Sequence, residues 1–235
     1  MVVFLRGALL AVIILGCFSL DGTAQPKGQD DDTFALEHKG AFPVYLAKYS
    51  GGDWNYGTHF GPKGEIDGGG VYHFVDSVNK WSRGHITAAV TWIDIDSTKL
   101  QSAPPPFIVL TGSKDFSLTD QQIKNLRSYI HLGGVIWGDN GRGGLGSVFD
   151  VAFRREMKRL IPDFDKKFEM IGPKERIFTK AWFDLTNSPT AASSVEQLDV
   201  NGTRAIIYTP DNVFDNSVPK EQLAMNIMGD LLVRY

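Results

Sequence analysis

Two short apolar runs flank the best-delimited helix in the chain, and together they dictate most of the architecture. Phe107-Ile108-Val109-Leu110 and Val135-Ile136-Trp137 carry no polar position, as suits strands covered on both faces. Between them Thr119 and Gln122 spell a T-x-x-Q capping box, with Leu118 and Ile123 placed as a hydrophobic staple. Ile123, Leu126, Tyr129 and Ile130 make one helical stripe, and Gly133-Gly134 supplies the left-handed residue that stops it. This is a strand–helix–strand unit of the kind that builds parallel sheets.

The same alternation runs through most of the chain. Phe42 to Tyr49 reads as a first strand and Gly70 to Trp81 as a helix with Val71, Phe74, Val75 and Val78 on one face. Ile86 to Ile95 suits a second strand. Ser147 with Asp150 opens a helix on which Phe149, Ala152, Phe153, Met157 and Leu160 share a face, with Arg154, Arg155, Lys158 and Arg159 opposite; Pro162 ends it. Phe168 to Ile171 is a further strand. Val195–Val200 and Ala205–Tyr208 flank Asn201-Gly202, a type I′ hairpin signal. Residues 220–234 read as an amphipathic helix with Leu223, Ile227 and Leu231 inward. The fold class expected is α/β: a mainly parallel sheet with helices on both faces and a β-hairpin near the C-terminal end.

The N-terminus bounds the compartment. Arg6 precedes an apolar run from Gly7 to Leu20, and Gly22-Thr23-Ala24 places small residues before Gln25, the layout of a secretory signal peptide. Ile14-Leu15-Gly16-Cys17 is a weaker lipobox-like alternative for lipidation. Expected is a signal peptide over 1–24, a polar linker over 25–40 with an acidic run at Asp30-Asp31-Asp32, and one domain over 41–235, exported to the periplasm or secreted. Membrane contact is expected only through the signal peptide or lipid at Cys17. Cys17 is the sole cysteine, so the folded domain has no thiol nucleophile, disulfide or thiolate metal site. With 24 Lys+Arg against 27 Asp+Glu, no basic excess favours nucleic acid.

In an open parallel sheet, ligands bind beyond the carboxyl ends of the strands. Three loops follow predicted strands: Ser50–Gly57, Thr111–Asp115 and Gly138–Arg142. Their polar residues should converge on one rim. Asp53, Trp54, Tyr56, Thr111, Ser113, Asp139, Asn140 and Arg142 are the candidate ligand-binding residues. Trp54 beside Asp53 suits a sugar ring or another polar ligand with an apolar face, or else plugs the sheet edge. His59, Asp53 and Asp139 are the candidate catalytic residues. Ser113 beside Lys114 lacks the G-x-S-x-G elbow of an exposed nucleophile and reads as a turn serine. Gly141-x-Gly143-x-x-Gly146 has the spelling of a dinucleotide fingerprint, but Asp139-Asn140 stands between the predicted strand and its first glycine. No histidine has metal-ligand spacing, and no cofactor or metal is expected. The expected partner is a small polar, glycan-like ligand or an envelope protein, bound without covalent nucleophilic catalysis. The alternative is a hydrolase using Asp and His at the strand ends, with or without a divalent ion.

Tyr49-Ser50-Gly51-Gly52-Asp53-Trp54-Asn55, Phe107 to Gly112, Leu126-Arg-Ser-Tyr129 with Gly133-Gly134, Gly138-Asp139 and Phe149 to Pro162 together resemble a bacterial family, the domain of unknown function DUF4159. The likeness extends over residues 42–235. It implies a flavodoxin-like sheet similar to class I glutamine amidotransferases, and an exported protein. It implies no activity. The amidotransferase cysteine has no counterpart here, so that chemistry does not transfer. Family members often carry two acidic residues after the Gly-Gly strand; the second position here is Asn140.

Expressed from its full sequence in a bacterium, the protein should be recovered with Gln25 as its first residue. N-terminal sequencing checks this, and a mature chain beginning at a lipidated Cys17 contradicts it.

Overall fold

The computed structural model describes residues 40–161, 167–179, 181–186, 195–215 and 217–233. The expected signal peptide, the linker up to residue 39 and Pro162 lie outside the described residues. Seven strands form one sheet: β1 (Phe42–Lys48), β2 (Ala88–Asp94), β3 (Phe107–Gly112), β4 (Val135–Asn140), β5 (Glu169–Met170), β6 (Glu196–Val200) and β7 (Thr203–Thr209). Their spatial order is β2-β1-β3-β4-β7-β6-β5. The first five of these run parallel, while β6 pairs antiparallel with β7 and β5 with β6. The parallel part thus has the flavodoxin-like order, extended at one edge by a hairpin.

Helices cover both faces, as the doubly apolar strands require. The helices are α1 (Gly70–Trp81), α2 (Lys99–Ser102), α3 (Asp120–His131), α4 (Val148–Leu160), α5 (Arg176–Thr179) and α6 (Val218–Val233). One face packs α1, α5 and α6 onto Val44, Leu46, Phe107, Val109, Val135 and Trp137. The other packs α3 and α4 onto Ile108, Leu110, Ile136, Ile206 and Tyr208. The period-2 alternation of the strands thus divides the core into two halves. Trp137 anchors the first half, with ring centroids 5.0 Å from Phe214, 5.9 Å from Phe74 and 6.1 Å from Phe107.

Local signals act where the sequence puts them. The Thr119 side chain accepts from the Gln122 N–H while the Gln122 side chain accepts from the Thr119 N–H, completing the capping box. Gly133 takes φ +94°, and Asn201 and Gly202 take φ 53° and 77°, both positive as a type I′ turn demands.

Three expectations need correction. First, β4 does not end at Trp137 but runs to Asn140, because Asp139 and Asn140 pair in register with Thr111 and Gly112 of β3. Second, the last helix is not amphipathic: residues from Leu223 to Leu231 are buried around its circumference, including Asn226 and Asp230, which find partners in Trp182, Phe183 and Arg204. Third, β5 is shorter than the strand expected over Phe168–Ile171. The basic face of α4 lies opposite its apolar face, and its arginines are paired. Arg154 pairs with Asp150 and Glu196, Arg155 with Asp115 and Glu156, and Arg159 with Glu156 and Asp120.

A Cβ added at Gly138 would lie 2.2 Å from the Phe153 ring, whereas one at Gly172 meets nothing within 4 Å. Gly138→Ala should therefore cost about 1–3 kcal/mol of stability in urea unfolding through overpacking. Gly172→Ala should stay within about 0.5 kcal/mol of the parent.

Candidate functional site

The three strand-end loops meet, and glycines let them do so. The Asp53 carboxylate accepts from the Ser113 N–H at 2.8 Å, the Ser113 hydroxyl at 2.6 Å and the Lys114 N–H at 3.1 Å, tying the first loop to the second. The Gly141 N–H donates to the Gly112 carbonyl at 2.9 Å, tying the third to the second. A Cβ at Gly141 would sit 2.1 Å from the Tyr56 ring, so the first and third loops touch where Gly141 has no side chain. The crevice between β1 and β3, where strand order reverses, is thus occupied by the Asp53 clamp.

The opening lies one strand further along. A cavity of about 280 Å³ is lined by Tyr56, Gly57, His59, Gly70, Thr111, Asp139, Gly141, Asn212, Phe214 and Asp215. Thr111 and Asp139 come from the carboxyl ends of β3 and β4, and Asn212 to Asp215 from the loop beyond β7. His59 arrives on a short excursion held by bonds from its own N–H to the Gly68 carbonyl and from the Asp67 N–H to its carbonyl.

The remaining sequence candidates stand around this cavity in other roles. Trp54 packs edge-on against Trp92, with centroids 5.1 Å apart, and touches both halves of the core. Asp53 and Ser113 are spent on each other. The Asn140 amide nitrogen contacts the Gly144 carbonyl, the Ser147 hydroxyl and the Pro210 carbonyl, pinning the glycine loop to the end of β7. Arg142 is exposed and does not line the cavity.

The glycine-rich loop follows β4 directly, since the strand includes Asn140. Its spacing suits a phosphate cradle, but the seat is occupied from within. Ser147 caps α4, and the Asp150 carboxylate accepts from the Gly146 N–H at 2.8 Å. The same carboxylate accepts from Tyr208 Oη and Arg154 Nε. A dinucleotide phosphate at this helix N-terminus would have to displace it.

A family model described as domain of unknown function (DUF4159) matches residues 47–233. The chain belongs to this family. No curated protein matches it. The DUF4159 match spans the cavity and both core halves, so every lining residue lies within the shared domain.

Within this DUF4159 domain, the chemistry concentrates on Asp139. It is fully buried, and its Oδ1 accepts from Thr209 Oγ1 at 2.7 Å and from the Val213 N–H at 2.9 Å. Trp137 Nε1 donates to the Thr209 oxygen at 3.3 Å, and the Thr209 hydroxyl, which also lies 3.1 Å from the Gly138 carbonyl, has its shorter contact with Asp139. Oδ2 has no hydrogen-bond partner among the described residues. Burial pushes the carboxyl up to about 7, against the opposing pull of the Thr209 and Val213 bonds and of Lys220. Since Oδ1 already accepts twice, the proton belongs on Oδ2. Among the described residues, no group of three or more His, Cys, Asp or Glu side chains is placed to hold a metal ion.

Sequence reasoning missed Gly70, Asn212, Phe214 and Asp215. The signal was present: Pro210-Asp211-Asn212 is a turn after an apolar strand. It was hidden because β7 reads as half of a hairpin, although its other edge continues the parallel sheet against β4.

Asp139 sets a pH dependence of folding. Unfolded, its carboxyl titrates near 3.8; folded, near 7. The native state holds the extra proton between those values, so its contribution is complete below about pH 4 and lost as pH rises through 7. Unfolding free energy should fall across that window by on the order of 4 kcal/mol more in the parent than in Asp139→Asn. Urea titrations of both proteins at several pH values check this, and parallel pH profiles contradict it.

Proposed function

We propose that this domain is an exported small-ligand binding module whose ligand occupies the cavity at the carboxyl ends of β3, β4 and β7. One observation carries the reading: the fully buried Asp139 lines this cavity, and its Oδ2 has no hydrogen-bond partner among the described residues. Leaving such a group unmatched is costly, and a ligand hydroxyl, amide or amine relieves that cost. Tyr56 and Phe214 supply apolar faces, while Thr111 and Asn212 supply polar contacts, a mixture typical of small-molecule sites. The preference for a sugar-like ligand now rests on Tyr56, because Trp54 is packed against Trp92.

A second reading, acid–base hydrolysis, is favoured by one feature. A carboxyl titrating near 7 beside His59 in the same cavity is suited to move a proton at neutral pH. The paired arginines of α4 leave less free charge for docking an envelope protein there, since their neighbours already neutralise them.

A panel of small polyols, sugars and peptidoglycan fragments, followed by amide chemical shifts, tests the main reading. Ligands should perturb Tyr56, Thr111, Gly141 and Asn212, lose at least about tenfold in affinity in Asp139→Asn (1.4 kcal/mol), and bind unchanged to Trp54→Ala. Shifts confined to another surface, or full affinity in Asp139→Asn, reject it. Turnover of an ester, amide or glycoside with a pH inflection near 7 that Asp139→Asn abolishes selects the hydrolase instead.

A further inference from the structure

The first turn of α1 forms part of the same cavity wall, through Gly70. Its N-cap is Gly69, at φ +79°, with no side-chain cap and no acidic residue in the first turn. The N–H groups of Tyr72 and His73 both turn back to the Gly69 carbonyl. Those of Gly70 and Val71 meet no acceptor among the described residues. The bareness is enforced by packing. A Cβ at Gly69 would lie 2.2 Å from the Gly57 carbonyl and 2.9 Å from the His59 ring, and one at Gly70 would lie 3.0 Å from the Tyr56 carbonyl. The loop that brings Tyr56 and His59 to the cavity therefore excludes any side chain that could cap the helix.

Gly70 and Asp139 line the same cavity, and each carries an unmet demand. Open backbone N–H groups at a helix N-terminus favour an anion. Asp139 Oδ2 is buried and has no hydrogen-bond partner among the described residues. Asp215, the other carboxylate on the wall, is already bound to Lys220 at 2.5 Å and to Ser217, which limits its repulsion of an incoming anion. At about 30 Å³ per water, the cavity has room for about nine waters. A ligand of about ten non-hydrogen atoms is the corresponding size.

Resting on the reading of this cavity as a ligand site, we infer that its ligand is a small oxyanion, a carboxylate or phosphate ester that also carries a hydroxyl or amine. The oxyanion takes the open N–H groups of Gly70 and Val71, and the hydroxyl or amine meets Asp139. His59, against Gly69, adds a polar ring beside the anion.

Three probes of similar size separate the demands: glycerol, glycerate and glycerol 3-phosphate. With the purified protein, at least one of the two anions should bind at least about tenfold more tightly than glycerol and shift the Gly70 and Val71 amides. Tyr72→Glu places a carboxylate at the third position of α1, within reach of the Gly69 N–H, where its charge opposes an anion at the same helix end. It should lower anion affinity at least about tenfold and leave glycerol binding unchanged. Tyr72→Gln keeps the length without the charge and should retain anion binding. Equal affinity for glycerol and both anions at cavity residues overturns the oxyanion assignment and leaves the ligand site standing. Loss of anion binding in Tyr72→Gln as well as Tyr72→Glu also overturns it, since packing rather than charge would then be responsible. Anion shifts confined to residues away from the cavity, with no glycerol response at Tyr56, Thr111 or Gly141, overturn both.

Discussion

Strand β4 is paired on both edges and covered on both faces, and every one of its six residues is buried. That constraint organises the rest. Val135, Ile136 and Trp137 satisfy it with hydrocarbon, and Gly138 satisfies it by yielding its space to Phe153. Asp139 and Asn140 have no such option. They are carried into the interior by the parallel register with β3 and must take partners from β7 and the loops beyond the sheet. Thr209, Val213 and Pro210 are those partners, so the polar end of β4 is fastened to a single segment about seventy residues away in sequence.

Much of this architecture can be read from residue patterns. The capping box at Thr119, the glycine stop at Gly133 and the Asn201-Gly202 turn each act locally, and each has the same meaning in any tertiary context. The parallel arrangement of β1 to β4 follows from helices interposed between apolar runs. Two features resisted because they are set by neighbours. The extent of β4 depends on pairing with Thr111 and Gly112, which no local hydropathy signal records. The last helix is buried all round because α5 and the 181–186 segment cover a side that its composition alone leaves open, with Asn226 answering the backbone of Trp182 and Phe183.

The site divides along the same line. That three loops converge is a consequence of strand direction and is legible in advance. Which side chains face the opening is not. Asp53 and Trp54, the most conspicuous polar and aromatic residues of the first loop, are consumed in holding it. Tyr56, two positions on, reaches the cavity because Gly141 leaves room for its ring. A carboxylate looks alike in a sequence whether it clamps a turn, as Asp53 does, or waits at the edge of a cavity, as Asp139 does. Only the count of donors around each oxygen separates them.

The glycine loop after β4 extends this point to motifs. Gly141, Gly143 and Gly146 trace a path suited to cradling a phosphate, yet the acid on the first turn of the following helix has taken that place. The tenant is decided by Asp150, a residue outside the spelling of the motif, and Tyr208 and Arg154 both lean on it. A chain can thus keep the outward script of nucleotide recognition while carrying its own permanent counter-ion, and evicting that carboxylate would strip a phenol and a guanidinium of an acceptor before any guest could settle.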